Sequence, residues 1–266
     1  MSQHFTRRRF LQSAAAAGAL ASSVFVPSVL RAEESHWGDL VGRFLYDGTA
    51  PERKKLTVDK DLQCCGKFDI RDESLMVAAD GGLANVYVYL RTAKAAIHPE
   101  LEKAATKRVL LDNRDCIFQP HCLMIWYSRQ ELHIVNSDPV AQNVAFTPLG
   151  DTQANIVLAV DADATHKFTR KQNAPVHIAC NYHPWESGWI LPRDNPYMTV
   201  SKKDGTFEIA KLPVGEWEFQ AWHERTENLE RPEWPKGRFQ VSVKPGINDL
   251  GTIKLPPKMF EKQGGK

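Results

Sequence analysis

The chain has 266 residues, 34 Lys and Arg against 32 Asp and Glu, a formal net charge of +2 and 42% hydrophobic residues. Arg7, Arg8, Arg9 and Arg31 fall in the first 32 residues with no acid among them, so the remainder carries +2 − 4 = −2. With no long basic run interleaved with aromatics left, that near-neutral remainder argues against nucleic acid as a partner, and its size suits one large domain or two modest ones.

At the N-terminus, Thr6-Arg7-Arg8-Arg9-Phe10-Leu11-Gln12 precedes an alanine-rich run from Ser13 to Leu30. This pattern reads as a twin-arginine export signal over residues 1–32 and predicts a periplasmic or secreted protein. Gln12, Ser13, Gly18, Ser22, Ser23 and Pro27 make the run less apolar than a bilayer-spanning helix. Ala32 suits the last position before cleavage, whereas Leu30 stands where a small residue is preferred. An uncleaved signal would tether the chain to the membrane, and no later stretch is long and apolar enough to span one. Cys64, Cys65, Cys116, Cys122 and Cys180 are an odd number for an oxidising compartment, so at least one is free, metal-bound or paired between chains.

Beyond the signal, short alternating runs between turn signals predict an all-β protein. Val86, Val88 and Leu90 alternate with Tyr87 and Tyr89; Leu132, Ile134 and Asn136 alternate with His133 and Val135. Further on, Trp217, Phe219 and Ala221 alternate with Glu216, Glu218 and Gln220, and Phe239, Val241 and Val243 with Gln240, Ser242 and Lys244. These runs predict half-buried strands. Turns are expected at Asp80-Gly81-Gly82, Lys203-Asp204-Gly205 and Pro245-Gly246. Pro99 to Arg108, with Leu101, Ala104, Ala105 and Arg108 at helical spacing, is the exception and predicts one short helix.

Two groups of motifs carry a family resemblance. Ser201-Lys202-Lys203-Asp204-Gly205-Thr206-Phe207-Glu208-Ile209, then Leu212-Pro213-Val214-Gly215-Glu216-Trp217, resemble a carboxypeptidase regulatory-like, or transthyretin-like, β-sandwich. Its opening pieces stand far upstream, at Gly42 to Gly48 and Gly82 to Leu90. This implies a discontinuous sandwich, residues 36–108 and 194–256, with a domain inserted at 109–193 and a flexible tail at 257–266. Within the insertion, Asn136-Ser137-Asp138-Pro139 to Val144 and Cys180-Asn181-Tyr182-His183-Pro184-Trp185-Glu186 resemble the cupredoxin module of methylamine-utilisation-like exported proteins of planctomycete type. The fold implied is a cupredoxin-like Greek-key barrel or sandwich.

That resemblance implies a copper site. A blue-copper centre takes a thiolate and two imidazoles in a near-trigonal plane with a weak axial thioether. Cys180 and His183 match the family's motif; Gln142 stands where the family has its first histidine, and Glu186 where it has the axial methionine. Alternation places Val176, Ile178 and Cys180 on one face of a strand, with His183 on the following loop. Three outcomes are open: a remodelled site of Cys180, His183 and Glu186 completed by His121, a metal-free scaffold with Gln142 and Glu186 hydrogen-bonded in place of ligands, or a copper electron carrier that tolerates both changes. The resemblance also implies a Cys65–Cys116 disulfide, closing a loop of about 50 residues worth roughly 3 to 4 kcal/mol.

Other conspicuous residues have plainer readings. His98, His133, His166 and His177 read as solvated, and His121 reads as a hydrogen-bonded structural residue if it is not a ligand. Trp222-His223-Glu224 reads as a contact between the two domains, since spacing offers no nucleophile with an oriented base. Trp185, Trp189, Trp217 and Trp234 suit either a sugar platform or core packing. No enzyme is expected. The function classes left are a low-potential copper-binding or electron-transfer protein with a periplasmic redox partner, and a metal-free periplasmic module binding protein or carbohydrate.

Overall fold

The computed structural model describes residues 36–92, 94–105 and 107–261. The twin-arginine segment and residues 262–266 lie outside them. Among the described residues the chain is all-β apart from one short α-helix and three single 3-10 turns. The glycines of all three predicted turns, Gly81, Gly205 and Gly246, take φ of +81°. At Gly205 any side chain would also meet the Phe44 carbonyl oxygen, 2.1 Å from an added Cβ.

The strands form four sheets. In the first, Trp37–Tyr46 lies between Thr206–Pro213, antiparallel, and Gly246–Leu255, parallel. In the second, Tyr87–Leu90 lies between Met198–Val200 and Gly215–His223, and Gly215–His223 also pairs with Arg238–Val243. Leu40, Phe44 and Phe207 of the first sheet meet Val88, Leu90, Phe219 and Phe239 of the second in one apolar core. Its strands come from both sides of the middle segment, so this core closes only when distant pieces of chain meet.

The middle segment builds the other two sheets. One runs Cys122–Trp126, Ser187–Arg193, Val176–Ala179, Gln142–Phe146, Ala154–Leu158; the other runs Ile117–Gln119, Arg108–Arg114, Glu131–Asn136, Asp163–His166. Leu111, Leu132 and Ile134 pack against Leu123, Ile125, Val144, Ile178 and Ile190 between them.

Three sequence expectations need correction. Tyr87–Leu90 is buried on both faces rather than half-buried, and so is the end of Gly215–His223. The reason is a third apolar layer, in which Tyr87, Tyr89 and Trp222 of the second sheet cover Leu191, Cys122, Met124 and Trp189 of the third. Each buried aromatic withdraws roughly 150–250 Å² from water, several kcal/mol of gross apolar stabilisation. The phenol of Tyr87 stays satisfied there, donating to Trp189 O (2.9 Å) and accepting from Leu123 N (3.1 Å). Arg193 ties the same layer through Leu90 O (2.7 Å) and Gln172 O (2.8 Å). The second correction concerns the tail, whose first residues are anchored: Phe260 is 2% exposed and packs on Tyr46 and His223.

The helix is also shorter than its spacing predicts, Pro99–Ala104. His98 caps it, its Nδ1 accepting from Glu100 N, while Arg108 has left the helix to pair with Glu131 in the fourth sheet. Sheet pairing outweighs helical propensity there.

Candidate metal centre

The centre is assembled from three stretches of chain. The first is the Asn136-Ser137-Asp138 turn. Asn136 Oδ1 accepts from Asp138 N (3.0 Å), a local turn that aims the Asp138 carboxylate inward. Asp138 accepts from Cys116 N and from Gln142 Nε2 (2.8 Å). With its amino group so held, Gln142 turns its carbonyl oxygen Oε1 toward the loop that follows Val176–Ala179.

That loop, residues 180–186, supplies the second stretch. Val176, Ile178 and Cys180 are buried while His177 is exposed, so Cys180 points inward as alternation predicts. His183 N donates to Cys180 Sγ (3.3 Å) and Glu186 N donates to His183 O (2.9 Å), a tight turn that stacks the three functional side chains. His183 Nδ1 lies 2.8 Å from Gln142 Oε1, 3.1 Å from Glu186 Oε1 and 3.8 Å from Cys180 Sγ. Cys180 Sγ is 3.7 Å from Gln142 Oε1. Cys180, His183 and Glu186 offer donor atoms that all lie within 4.8 Å of one another, and all three are buried.

The third stretch lies far upstream and gave no sign in the sequence. Asp61 Oδ2 sits 2.7 Å from His183 Nε2, so both imidazole nitrogens are engaged and the ring is fully buried. Asp61 belongs to the turn leading into Cys65–Lys67, and that turn is tied down by a disulfide between Cys65 and Cys116 (Cα–Cα 5.5 Å). Cys116 sits in a two-residue hairpin turn with Asp115, both at positive φ (57° and 59°). Trp185 completes the cover, its Nε1 donating to Cys116 O (3.0 Å) and its ring 5.0 Å from that of His183. Cys64 is free and buried, 3.9 Å from Cys116 Sγ, and Cys122 is free in the third sheet.

Burial dominates the electrostatics of the centre, since Cys180, His183 and Glu186 are all buried. Burial alone would lower the His183 pKa, but contacts with Cys180, Glu186 and Asp61 reverse this and push it up to about 10. Burial raises the Glu186 pKa, and likewise that of Asp138. Glu186 lies within ion-pair distance of His183, yet neither carboxylate oxygen makes an aligned hydrogen bond. An orphaned buried carboxylate facing a thiol and an imidazole fits a metal. Donors bonded at about 2.0–2.3 Å in a tetrahedral centre stand about 3.5 Å apart, close to the spacings seen. A thiolate, an imidazole, a carboxylate and an amide oxygen suit a borderline cation such as Cu(II) or Zn(II), harder in sum than a thiolate–bis-imidazole–thioether set.

His121 is not part of this group, contrary to the expectation that it completes the site. It stands at the start of Cys122–Trp126 beside Gly188 and Trp189, where its Nε2 meets Glu224 Oε1 (2.7 Å). Strand order decides this: Cys122–Trp126 pairs with Ser187–Arg193 on the side away from Val176–Ala179. Glu224 also accepts from Trp189 Nε1 (2.9 Å), which joins the second sheet to the third. His98, His133 and His166 are partly exposed; His177 is exposed and meets Ser187 Oγ at 2.9 Å, a pairing that spacing alone did not suggest. Trp217 and Trp234 pack on the first core. Among the described residues no helix is long and apolar enough to cross a membrane.

No family model matches the chain, and no curated protein does. Among solved structures it shows a weak likeness to cupredoxins. A Cu(I) form of amicyanin matches with a TM-score of 0.28 and 13% identity, over 40% of this chain and 98% of that one. A copper-containing nitrite reductase from Thermus scotoductus gives 0.29 and 16%, over 40% of this chain and 25% of that one. A purple cupredoxin from Nitrosopumilus maritimus gives 0.26 and 17%, over 33% and 100%. Such scores describe a partial likeness of β-architecture and say nothing of a site.

Proposed function

We propose that this is an exported metal-binding protein with a cupredoxin-like domain, whose copper centre is remodelled around Cys180, His183, Glu186 and Gln142. The observation that carries the reading is the Glu186 carboxylate, 1% exposed, with neither oxygen in an aligned hydrogen bond and a thiol and an imidazole beside it. Copper bound there supplies a one-electron couple, held at low potential because an anionic oxygen donor favours the oxidised ion more than a thioether does. The chain's own part is to fix the donors. Asp138 orients Gln142, Asp61 holds the outer nitrogen of His183, and the disulfide keeps the Asp61 turn in place. We assign the first and second sheets to the carboxypeptidase regulatory-like sandwich and the export route to the twin-arginine pathway, on the motifs given above. A binding or electron-transfer role, not catalysis, fits this centre.

A second reading is favoured by one specific feature. His183 as an imidazolium, hydrogen-bonded to Gln142 and Asp61 and paired with Glu186, closes the centre without a metal and leaves a binding or structural module. Copper titration of the purified chain separates the two. Under the first reading Cu(II) produces a weak or shifted thiolate charge-transfer band that Cys180→Ser abolishes. No band and no copper retained at Cys180 would leave the metal-free reading standing.

A further inference from the structure

A second histidine–carboxylate arrangement lies outside this centre, on the wall of a cleft of about 460 Å³ lined by Glu73, His121, Trp185, Trp189 and Glu224 among others. His121 is 92% buried by side chain (8% exposed), and its two nitrogens differ. Nε2 is held by Glu224, itself fixed by Trp189 Nε1. A carboxylate on one imidazole nitrogen is the support that metal-ligating histidines usually have, because it sets the ring's orientation and raises the basicity of the other nitrogen. That other nitrogen, Nδ1, is buried with no hydrogen-bond partner. A buried polar nitrogen left unpaired is unfavourable, and a ligand at that position would relieve it.

The nearest acidic oxygen is Glu73 Oε2, 3.7 Å away, too long for a hydrogen bond. It is the right separation for two donors sharing one cation, since bonds of about 2.1 Å meeting near 120° place the donors about 3.6 Å apart. On its other side Glu73 makes only a long ion pair, the other oxygen standing 3.9 Å from Arg53, also beyond hydrogen-bond length.

We propose that His121 Nδ1 and Glu73 Oε2 form a second, open metal site for a borderline divalent cation of the Zn(II) or Cu(II) class. One imidazole and one carboxylate suit such a cation better than Ca(II) or Mg(II), which take mostly oxygen, and better than Cu(I), which takes sulfur. Two protein donors leave further positions to water or to a small ligand entering from the cleft. Glu224 is a positioning residue here. A proton competes for the same nitrogen, so the site binds metal more strongly in mildly alkaline solution.

The test is calorimetric titration of Zn(II), at pH 8, into the metal-free chain with the first centre silenced by Cys180→Ser and Glu186→Gln. One equivalent is expected, weakened at least tenfold by Glu73→Gln and lost in His121→Ala. Glu73 is partly exposed and makes no hydrogen bond shown in the structure, so its variant tests the site even if His121→Ala folds poorly. No binding in the silenced chain, or binding that neither substitution moves, overturns the proposal. Because Cys180 is absent throughout, the result is independent of whether the first centre holds copper.

Discussion

His183 and His121 are both buried histidines set against carboxylates, and they differ at the second nitrogen. Around His183 both nitrogens are engaged, by Asp61 on one side and by Gln142 and Glu186 on the other. Around His121 one nitrogen is held by Glu224 and the other faces Glu73 across 3.7 Å. The first group is closed under a turn that a disulfide ties down; the second opens on a cleft. The contrast teaches that the groups brought to the second nitrogen, more than the residue type, decide how completely a buried histidine is enclosed.

Alkaline titration of the metal-free chain should break the closed group with the largest effect. The His183 pKa is raised in the folded state from 6.5 to about 10, so its stabilisation is complete below about pH 6.5 and is lost as pH rises toward 10. Glu186, also raised, acts in the same direction from its ordinary value upward. Urea melts of the EDTA-treated chain should lose several kcal/mol between pH 7 and 10, and His183→Gln should flatten that slope. An unchanged slope would mean that His183 is neutral in the fold.

Untethering the cover comes next. Cys116→Ala removes a bridge spanning 51 residues and should lower stability by about 4 kcal/mol, while opening His183 to chemical modification. If His183 stays protected from diethylpyrocarbonate, the packing of Trp185, which clusters with Ile70 and Cys64, holds the cover by itself.

A third histidine sharpens the comparison from the opposite side. His223 is fully buried, and burial lowers its pKa to about 4. Its unfolded form takes up a proton below about pH 6.5 while the folded form does not, so stability falls as pH drops from 6.5 toward 4, by about 3 kcal/mol. His183 acts in the opposite direction above this window, so the metal-free chain should lose stability both toward acid and toward alkali. His223→Gln should remove the acid limb, which pH-dependent melts would show.

The smallest effect is expected from Cys65→Ala. Cys64 Sγ already lies 3.9 Å from Cys116 Sγ, so Cys64 should take over the bridge on oxidation, with a stability change of about 1 kcal/mol or less beside the Cys116 variant. Peptide mapping that finds Cys64 and Cys116 both alkylated would show that the turn cannot shift by one residue.

The sequence by itself carried the all-β character, the positions of the tight turns and the inward direction of Cys180, because alternation and turn chemistry act over a few neighbouring residues. The grouping of Cys180, His183 and Glu186 came from the resemblance to a cupredoxin motif, which sets all three on one loop at one strand end. Gln142 was reached by resemblance, and the structure brings it within 2.8 Å of His183. What the sequence left hidden depends on separations that local patterns do not encode. Asp61 stands 122 residues before its partner His183, and Glu224 follows its partner His121 by 103. Tyr87–Leu90 showed the alternation of a strand with one wet face, yet Tyr and Trp on the polar-looking face are apolar enough to be covered by another sheet, and only the stacking of sheets determined that they were. His121 was placed away from the thiol by strand order, a choice made by the packing of the whole sheet and not by any residue near it in the chain.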